Sequence, residues 1–253
     1  MASSLVTTPG SMAADSYISM ADADTYFSKL PNATDWSYEN GGDARTDASK
    51  DALLRAATLG IDQYMGSFGV TKLLATGYYE QALTYPCRGF EWSAATASGH
   101  CRVVSAESGS TTTFVSASLQ YSRSDQYVGG AAYVSQTTDM AAPVYEIQAI
   151  SDYNAATYTV TTAAFSAAIG AGDSIAIIMP VPRWLWLATC MQALFLANRM
   201  SGAANQAHAG VSSESTNTGE SRSFTVPGIG GHLHIDVQRL IDANMPRFAV
   251  LER

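Results

Sequence analysis

Charged side chains are scarce in this chain. They make up 14% of its 253 residues, whereas about 25% is typical of globular domains. Apolar residues reach 47%, which is enough for a packed core. We therefore expect a surface rich in Ser, Thr and Gly, or one that neighbouring subunits cover.

Clusters of basic residues are also missing, and the net charge is −8. In the first 90 residues the cations stand singly, at Lys29, Arg45, Lys50, Arg55, Lys72 and Arg88. Because tight DNA binding requires clustered cations that neutralise phosphates, this distribution argues against a strong DNA-binding face. A surface past which DNA slides without sticking remains compatible with it.

The chain lacks the cysteine pattern of a disulfide framework. Its three cysteines, Cys87, Cys101 and Cys190, are odd in number and form no C-x-x-C motif, which favours synthesis in a reducing cytoplasm. Residues 1–16 show neither the basic nor the apolar region of a signal peptide. We interpret them as a loose N-terminal arm.

Motifs of catalysis and metal binding are absent as well. The sequence has no G-x-S-x-G, H-E-x-x-H or EF-hand pattern. His232 and His234 would supply only half of a metal site, and Cys87, His100 and Cys101 have irregular spacing. We therefore predict no catalytic residue, no metal and no cofactor.

One long apolar run, "PRWLWLATCMQALFLANR", spans residues 182–199. The 15 residues between Arg183 and Arg199 would span roughly 22 Å as a helix, less than the roughly 30 Å of a bilayer core. Pro182 suits a first helical turn. A helix that is apolar nearly all round is buried in its domain or between subunits, so we predict an interface helix. Its contact residues would be Trp184, Leu187, Met191, Leu194 and Phe195.

Helical spacing occurs on both sides of a stretch with a different pattern. Residues 16–30, 49–68 and 234–245 have apolar residues at helical intervals, including Ile235, Leu240 and Ile241 in the last. Ser19 or Asp22 would cap the first helix, and Asp47 or Ser49 the second. Residues 31–48 read as a polar loop.

Residues 92–180 contain only eight charged residues and no lysine. Short β-rich runs occur at 111–121, 127–135, 144–151, 157–163 and 174–179. The fold class is therefore α+β: a helical domain of about four helices, formed by 17–91 and 181–253, carries an inserted all-β barrel or sandwich at 92–180.

Residues 201–231 are rich in Ser, Thr, Gly and Asn and have no periodicity. So long a stretch is mobile or functional in most domains. We predict that 201–223 is flexible in the free subunit and that 222–230 docks on a partner, through Arg222, Phe224, Val226 and Ile229.

Four short motifs follow one another in the helical parts: "SYISMADADTYF", "ALLRAATLGIDQYMG", "EQALTYPCRG" and "VPRWLWLATCMQALFLA". In this order they resemble the head–tail connector (neck adaptor) proteins of tailed bacteriophages, some of which carry a DnaT-like label. The matching residues are Ser16, Tyr17, Ala23, Tyr26, Phe27, Leu54, Arg55, Ala56, Ala57, Gln81, Ala82, Leu83, Tyr85, Pro86, Pro182, Ala188, Thr189 and Ala193.

The resemblance implies a structural virion protein without enzymatic activity. It would form a homo-oligomeric ring, typically of twelve subunits, in the neck between the portal protein and a tail-side protein. Genomic DNA would pass through the lumen without sequence-specific binding. The β-insertion is not part of the compact family core.

An alternative from another class is a binding or adhesion module that acts through residues 92–180 on a carbohydrate or protein. Its tyrosines could stack on a sugar; they are Tyr121, Tyr127, Tyr133, Tyr145, Tyr153 and Tyr158. Tyrosine is also common in strands for reasons of packing alone.

Overall fold

A computed structural model describes most of the chain. The residues that it describes are 3–31, 33–39, 42–68, 70, 72–76, 79–87, 101–120, 122–201, 213–215, 221–223 and 233–245.

The described residues contain five α-helices. They are α1 (Met20–Phe27), α2 (Thr34–Ser37), α3 (Asp47–Gly66), α4 (Arg183–Ser201) and α5 (Ile235–Asn244). The Oγ of Ser19 caps α1 by accepting from the Asp22 N–H at 3.2 Å. Thr46 caps α3 in the same way, so the predicted cap of this helix, Asp47 or Ser49, was wrong.

Two further details correct the sequence interpretation. The predicted polar loop at 31–48 contains α2, whose Trp36 is buried. In α5 the inward residues are Val237 and Ile241, whereas Ile235 is exposed and does not face the core as predicted.

Helix α4 is the centre of the helical part. Leu54 and Ala57 of α3 share one buried cluster with Cys190 and Ala193 of α4. Further along, Ile61 of α3 and Val237 and Ile241 of α5 share a second cluster with Leu185 and Ala188. Among the described residues, no helix is long and apolar enough to cross a membrane.

The strands form one large sheet and two small hairpins. In chain order they are β1 (Ala75–Thr76), β2 (Tyr79–Glu80), β3 (Cys101–Ser105), β4 (Ser108–Gly109), β5 (Thr113–Val115), β6 (Ala131–Gln136), β7 (Ile147–Asn154), β8 (Thr159–Thr162), β9 (Ser174–Ile178), β10 (Ser213–Ser215) and β11 (Ser221–Ser223). The large sheet has seven antiparallel strands in the order β3-β9-β6-β7-β8-β5-β4 and is not closed. The fold is therefore α+β, as predicted.

Strands β6 to β9 of the large sheet overlap the predicted strands, whereas β3 and β5, toward the two ends of the strand order, differ from the prediction. The predicted strand at 111–121 is shorter, because β5 ends at Val115 and a 3₁₀ turn at Ala117–Leu119 follows. Strand β3 was not among the predicted strands. One face of the sheet covers a core that includes Phe114, Val134 and Ile177.

The other face of the sheet packs against the N-terminal part of the chain. Leu74 and Tyr79 from the first hairpin share a buried cluster with Tyr133 and Ile178 of the sheet. The Tyr79 hydroxyl donates to the carbonyl of Gly10 at 2.9 Å. Gly10 has φ +78°, and an added Cβ there would lie 2.8 Å from Cδ1 of Ile178, so only glycine fits without a shift.

The described part of the N-terminal arm is not loose, contrary to the sequence interpretation. The Ser3 hydroxyl donates to Asp51 of α3 at 2.7 Å. Arg55, also in α3, forms a 2.7 Å ion pair with Asp15. Residues 3–16 therefore join α3 to the sheet.

Candidate functional site: a motif core and an assembly surface

The first and third motifs meet at a half-buried carboxylate, that of Asp62 in α3. The hydroxyl of Tyr17 donates to Oδ1 of Asp62 at 2.5 Å, and the backbone N–H of Thr84 donates to the same oxygen at 2.5 Å. Tyr17 is almost completely buried. Burial, followed by the negative charge of Asp62, raises the pKa of Tyr17 well above its ordinary value. The phenol therefore stays a hydrogen-bond donor that fixes the 81–86 turn to α3.

Gln81 organises that turn from inside. Its Oε1 accepts from the Leu74 N–H at 2.8 Å. Its Nε2 donates to the carbonyls of Leu83 at 2.7 Å and Pro86 at 2.6 Å, with a longer contact of 3.3 Å to Thr84. The side chain is 1% exposed. One side-chain amide thus pairs with an N–H of the segment before β1 and with carbonyls of the turn.

Tyr85 connects this turn to the end of the large sheet. Its hydroxyl lies 3.1 Å from the carbonyl of Met179 and 3.0 Å from that of Pro180, directly before α4. Burial raises the pKa of Tyr85 far above its ordinary value. The third motif therefore fixes the point where the chain leaves the β-domain and enters α4.

The second and fourth motifs supply the contact between α3 and α4. Leu54, Ala57, Ala188 and Ala193 are fully buried there. Thr189 is buried too, and its hydroxyl donates to the Leu185 carbonyl at 2.9 Å, so this buried hydroxyl keeps a hydrogen-bond partner. Twelve of the 18 residues that carry the resemblance are buried and one, Ala56, is exposed, so these motifs serve mainly the packing of the subunit.

The predicted interface residues of α4 share one side of that helix. Positions 184, 187, 191, 194 and 195 recur at intervals of three or four residues and form one stripe, which we call the α4 face. Trp184 and Met191 pack partly against one core cluster and Leu194 against the other. The ring of Phe195 lies 5.0 Å from that of His234. All five side chains are only partly buried within the subunit.

The predicted partner-docking segment is described only in part. Arg222 lies in β11 and is paired in register with Glu214 of β10, in an antiparallel hairpin that joins no other sheet. Residues 213–215 and 221–223 thus form short strands within the stretch that shows no periodicity, and the flexibility of 201–223 in the free subunit stays a prediction. Phe224, Val226 and Ile229 lie outside the described residues.

The candidate metal ligands have structural surroundings. His234 caps α5, since its Nδ1 accepts from the Asp236 N–H at 3.3 Å. Cys87 and Cys101 are buried, and His100 and His232 lie outside the described residues. In the described part of the chain, no three His, Cys, Asp or Glu side chains are grouped so that they could hold a metal ion.

The tyrosines of the alternative binding module serve the core instead. Tyr127, Tyr133 and Tyr153 are almost fully buried, and Tyr127 packs edge-on to Tyr153 at 4.9 Å. Tyr145 and Tyr158 are partly buried against the two sheet clusters. Tyr121 lies outside the described residues. The described tyrosines therefore form no exposed platform on which a sugar could stack.

Sequence reasoning missed the acceptor around which the motifs assemble. Asp62 and Thr84 were not among the candidate residues, although they lie within or beside two of the quoted motifs. No sequence signal distinguishes Asp62 from the other acidic residues of the helices. Comparison with known proteins finds no matching family model, no matching curated protein and no matching solved structure.

Proposed function

We propose that this chain is a structural protein of a tailed-phage virion that forms a ring in the neck between portal and tail. The observation that carries the proposal is the α4 face. Trp184, Leu187, Met191, Leu194 and Phe195 belong to the central helix, yet none is fully buried within one subunit. An apolar stripe that one subunit covers only in part can bury the rest of its surface against a second subunit.

The charge distribution supports a passive conduit. A chain of net charge −8 without a basic stripe would not retain DNA in a lumen, because phosphates and acidic surfaces repel each other. The hydrogen bonds around Asp62 and Gln81 support a rigid subunit, which a ring of identical contacts needs. In this proposal the protein has no catalytic role, the portal and a tail-side protein are its partners, and about twelve subunits form the ring.

We further propose that the β-insertion is an incompletely closed barrel that decorates the ring. β3 and β4 are the two end strands of the sheet, yet only residues 106 and 107 separate them in the chain. The Ala106 N–H donates to the carbonyl of Asp173, directly before β9, and the Glu107 N–H donates to the carbonyl of Val115 in β5. The segment 101–109 thus passes from one end of the sheet to the other, as it would in a barrel.

The test is the size of the purified protein, alone and with the portal protein of the same phage, measured by light scattering and mass photometry. We expect rings of about twelve subunits with the portal protein, and we expect Leu187→Asp to abolish them by placing an unpaired charge in a dry contact. Met140→Asp is the control, because Met140 is an exposed apolar residue of the β-domain, far from α4 in sequence. Rings that form equally well with Leu187→Asp would refute the role of the α4 face. A wild-type chain that stays monomeric with the portal protein would refute the proposed function.

A further inference from the structure

Residues 3–16 form a loop whose base lies on α3 and whose tip lies on the large sheet. At the base, the backbone N–H of Asp15 donates to the carbonyl of Val6 at 3.0 Å, and the N–H of Val6 donates to the Asp15 carboxylate at 2.8 Å. These two bonds close the loop. The tip is the turn at Pro9 and Gly10, and both residues are buried. We call this loop the strap.

The base of the strap is held on α3 by polar contacts. Arg55 forms a 2.7 Å ion pair with Asp15 and donates to the hydroxyl of Ser4 at 2.8 Å. The side chains of Arg55 and Asp15 are 38% and 32% exposed, so water and salt screen this pair. Asp51 adds hydrogen bonds from Ser3 and Ser4, which are themselves exposed. These contacts can therefore exchange for contacts with water at small cost.

The tip of the strap is wedged between the first hairpin and the large sheet. Gly10 fits there so closely that an added Cβ would lie 2.8–3.2 Å from three apolar side chains. They are those of Leu74, Ile147 and Ile178. The carbonyl of Gly10 also accepts from the Tyr79 hydroxyl at 2.9 Å. Apolar packing thus dominates at the tip, and salt does not screen it as it screens the ion pair at the base.

The strap contacts two parts of the subunit whose cores are separate. Within the described residues, the two helical clusters contain no residue of the large sheet, and the inner sheet cluster contains no residue of an α-helix. The first hairpin and the Tyr85 hydroxyl also link the two parts. Because the tip lies between the hairpin and the sheet, it takes part in the hairpin link as well. The orientation of the sheet on the helices therefore depends on the strap.

We propose that the strap is a releasable latch that holds the β-insertion in one orientation on α3. Its tip stays in the sheet, and its base opens when Arg55 and Asp15 separate. In the open state both parts keep their folds, because their cores are separate, but the insertion turns relative to α3. A high salt concentration favours the open state, because it screens the ion pair. The latch acts within one subunit and does not depend on the proposed ring function.

Spin labels in the two parts test the latch by measuring the distance between them in the full chain. The labelled positions are Leu59→Cys in α3 and Val103→Cys in β3, both of which are exposed. The native Cys87, Cys101 and Cys190 are buried and should stay unlabelled. We expect one distance at low salt. A second distance should appear at about 1 M NaCl, where the Debye length is about 3 Å.

Asp15→Asn should add the second distance at low salt, because it removes the charge but keeps an oxygen that can accept from Val6. Asp24→Asn is the matched control. It removes the carboxylate of another ion pair of α3, the 2.8 Å contact with Lys50, which does not involve the strap. This control should keep the single distance. An unchanged single distance in Asp15→Asn at low and high salt would overturn the latch, and so would a second distance in Asp24→Asn.

Gly10→Ala tests the tip, because the added methyl group displaces it from the sheet and should also add the second distance. Gly42→Ala is the control, since Gly10 and Gly42 have φ +78° and +88°, but a Cβ added at Gly42 meets nothing within 4 Å. Circular dichroism checks that each variant is folded. A folded Gly10→Ala with the single distance, or a second distance in Gly42→Ala, would overturn the latch. If Gly10→Ala does not fold, Asp15→Asn and its control decide.

Discussion

Replacing Gln81 by alanine should destabilise the subunit more than its position in a turn would suggest. The substitution removes the acceptor of the Leu74 N–H and the donor to the carbonyls of Leu83 and Pro86. Leu74 is buried, so water cannot readily replace the lost acceptor. The Pro86 carbonyl keeps one partner, since it also accepts from the Leu73 N–H at 3.0 Å.

The magnitude follows from the groups left without partners. A buried donor or acceptor that loses its partner costs about 1–3 kcal/mol. With the Leu74 N–H and the Leu83 carbonyl affected, and the space of the side chain left empty, we expect a loss of about 3 kcal/mol in the free energy of unfolding. For a chain of this size that corresponds to roughly 6–12 °C in Tm.

Gln81→Glu separates hydrogen bonding from packing, because the side chain keeps its size. A carboxylate can still accept from Leu74, but it faces the carbonyl oxygens of Leu83 and Pro86 without a proton to donate. The fold therefore favours the protonated acid and raises its pKa above the unfolded value of about 4. The defect should be smallest below pH 4 and should grow as the pH rises through the raised pKa.

The assay is urea unfolding of wild type, Gln81→Ala and Gln81→Glu at several pH values, followed by tryptophan fluorescence. Gln120→Ala is the matched control, because Gln120 is exposed and should change the free energy of unfolding by less than about 0.5 kcal/mol. If Gln81→Ala behaves like Gln120→Ala, the turn does not depend on this amide. A defect of Gln81→Glu that shrinks as the pH rises would refute the electrostatic reasoning.

Three further predictions concern the buried tyrosines, a buried thiol and the β-insertion. Burial raises the pKa of Tyr79 to about 12 and that of Tyr17 above its ordinary value. The free energy of unfolding should therefore be unaffected below pH 10 and should fall as the pH rises above 10. An absorbance titration in which all tyrosines ionise near pH 10 would contradict this prediction. Burial also raises the pKa of the Cys190 thiol to about 12, so iodoacetamide should modify it only after denaturation, as mass spectrometry can show. Replacing the insertion by a Gly/Ser linker between Glu91 and Val181 should leave α3 and α4 folded, because neither helical cluster contains a residue of the large sheet. A molten product in circular dichroism would mean that the helical part needs the sheet in order to fold.

The helices could be predicted from the sequence because their signals are local. Apolar residues at helical spacing placed α3, α4 and α5 within about two residues of their observed bounds. The caps were less certain, since several neighbouring polar residues can accept the same backbone N–H, and the geometry selected Thr46 over the predicted Asp47 or Ser49. The short α2 was missed because four residues show no period.

The strands were predicted less well, and the reason is again physical. Strands β6 to β9 overlap β-rich runs that the sequence shows directly. Strand β3 lies in a stretch without alternation, and its pairing with β9 joins positions 69 to 77 residues apart. Such pairing depends on tertiary contacts that no local pattern records.

The sequence by itself determined the α+β class and the central position of α4, because composition and periodicity act over short distances. That 92–180 is a separable insertion stays a prediction. Only the tertiary structure decided which polar groups meet. It brought Tyr17, Asp62 and Thr84 to one point and placed the charges of α3 in contacts within the subunit. It also showed that the described tyrosines of the insertion serve its core. Hydrogen bonds and ion pairs between distant residues depend on chain topology, and periodicity contains no information about topology.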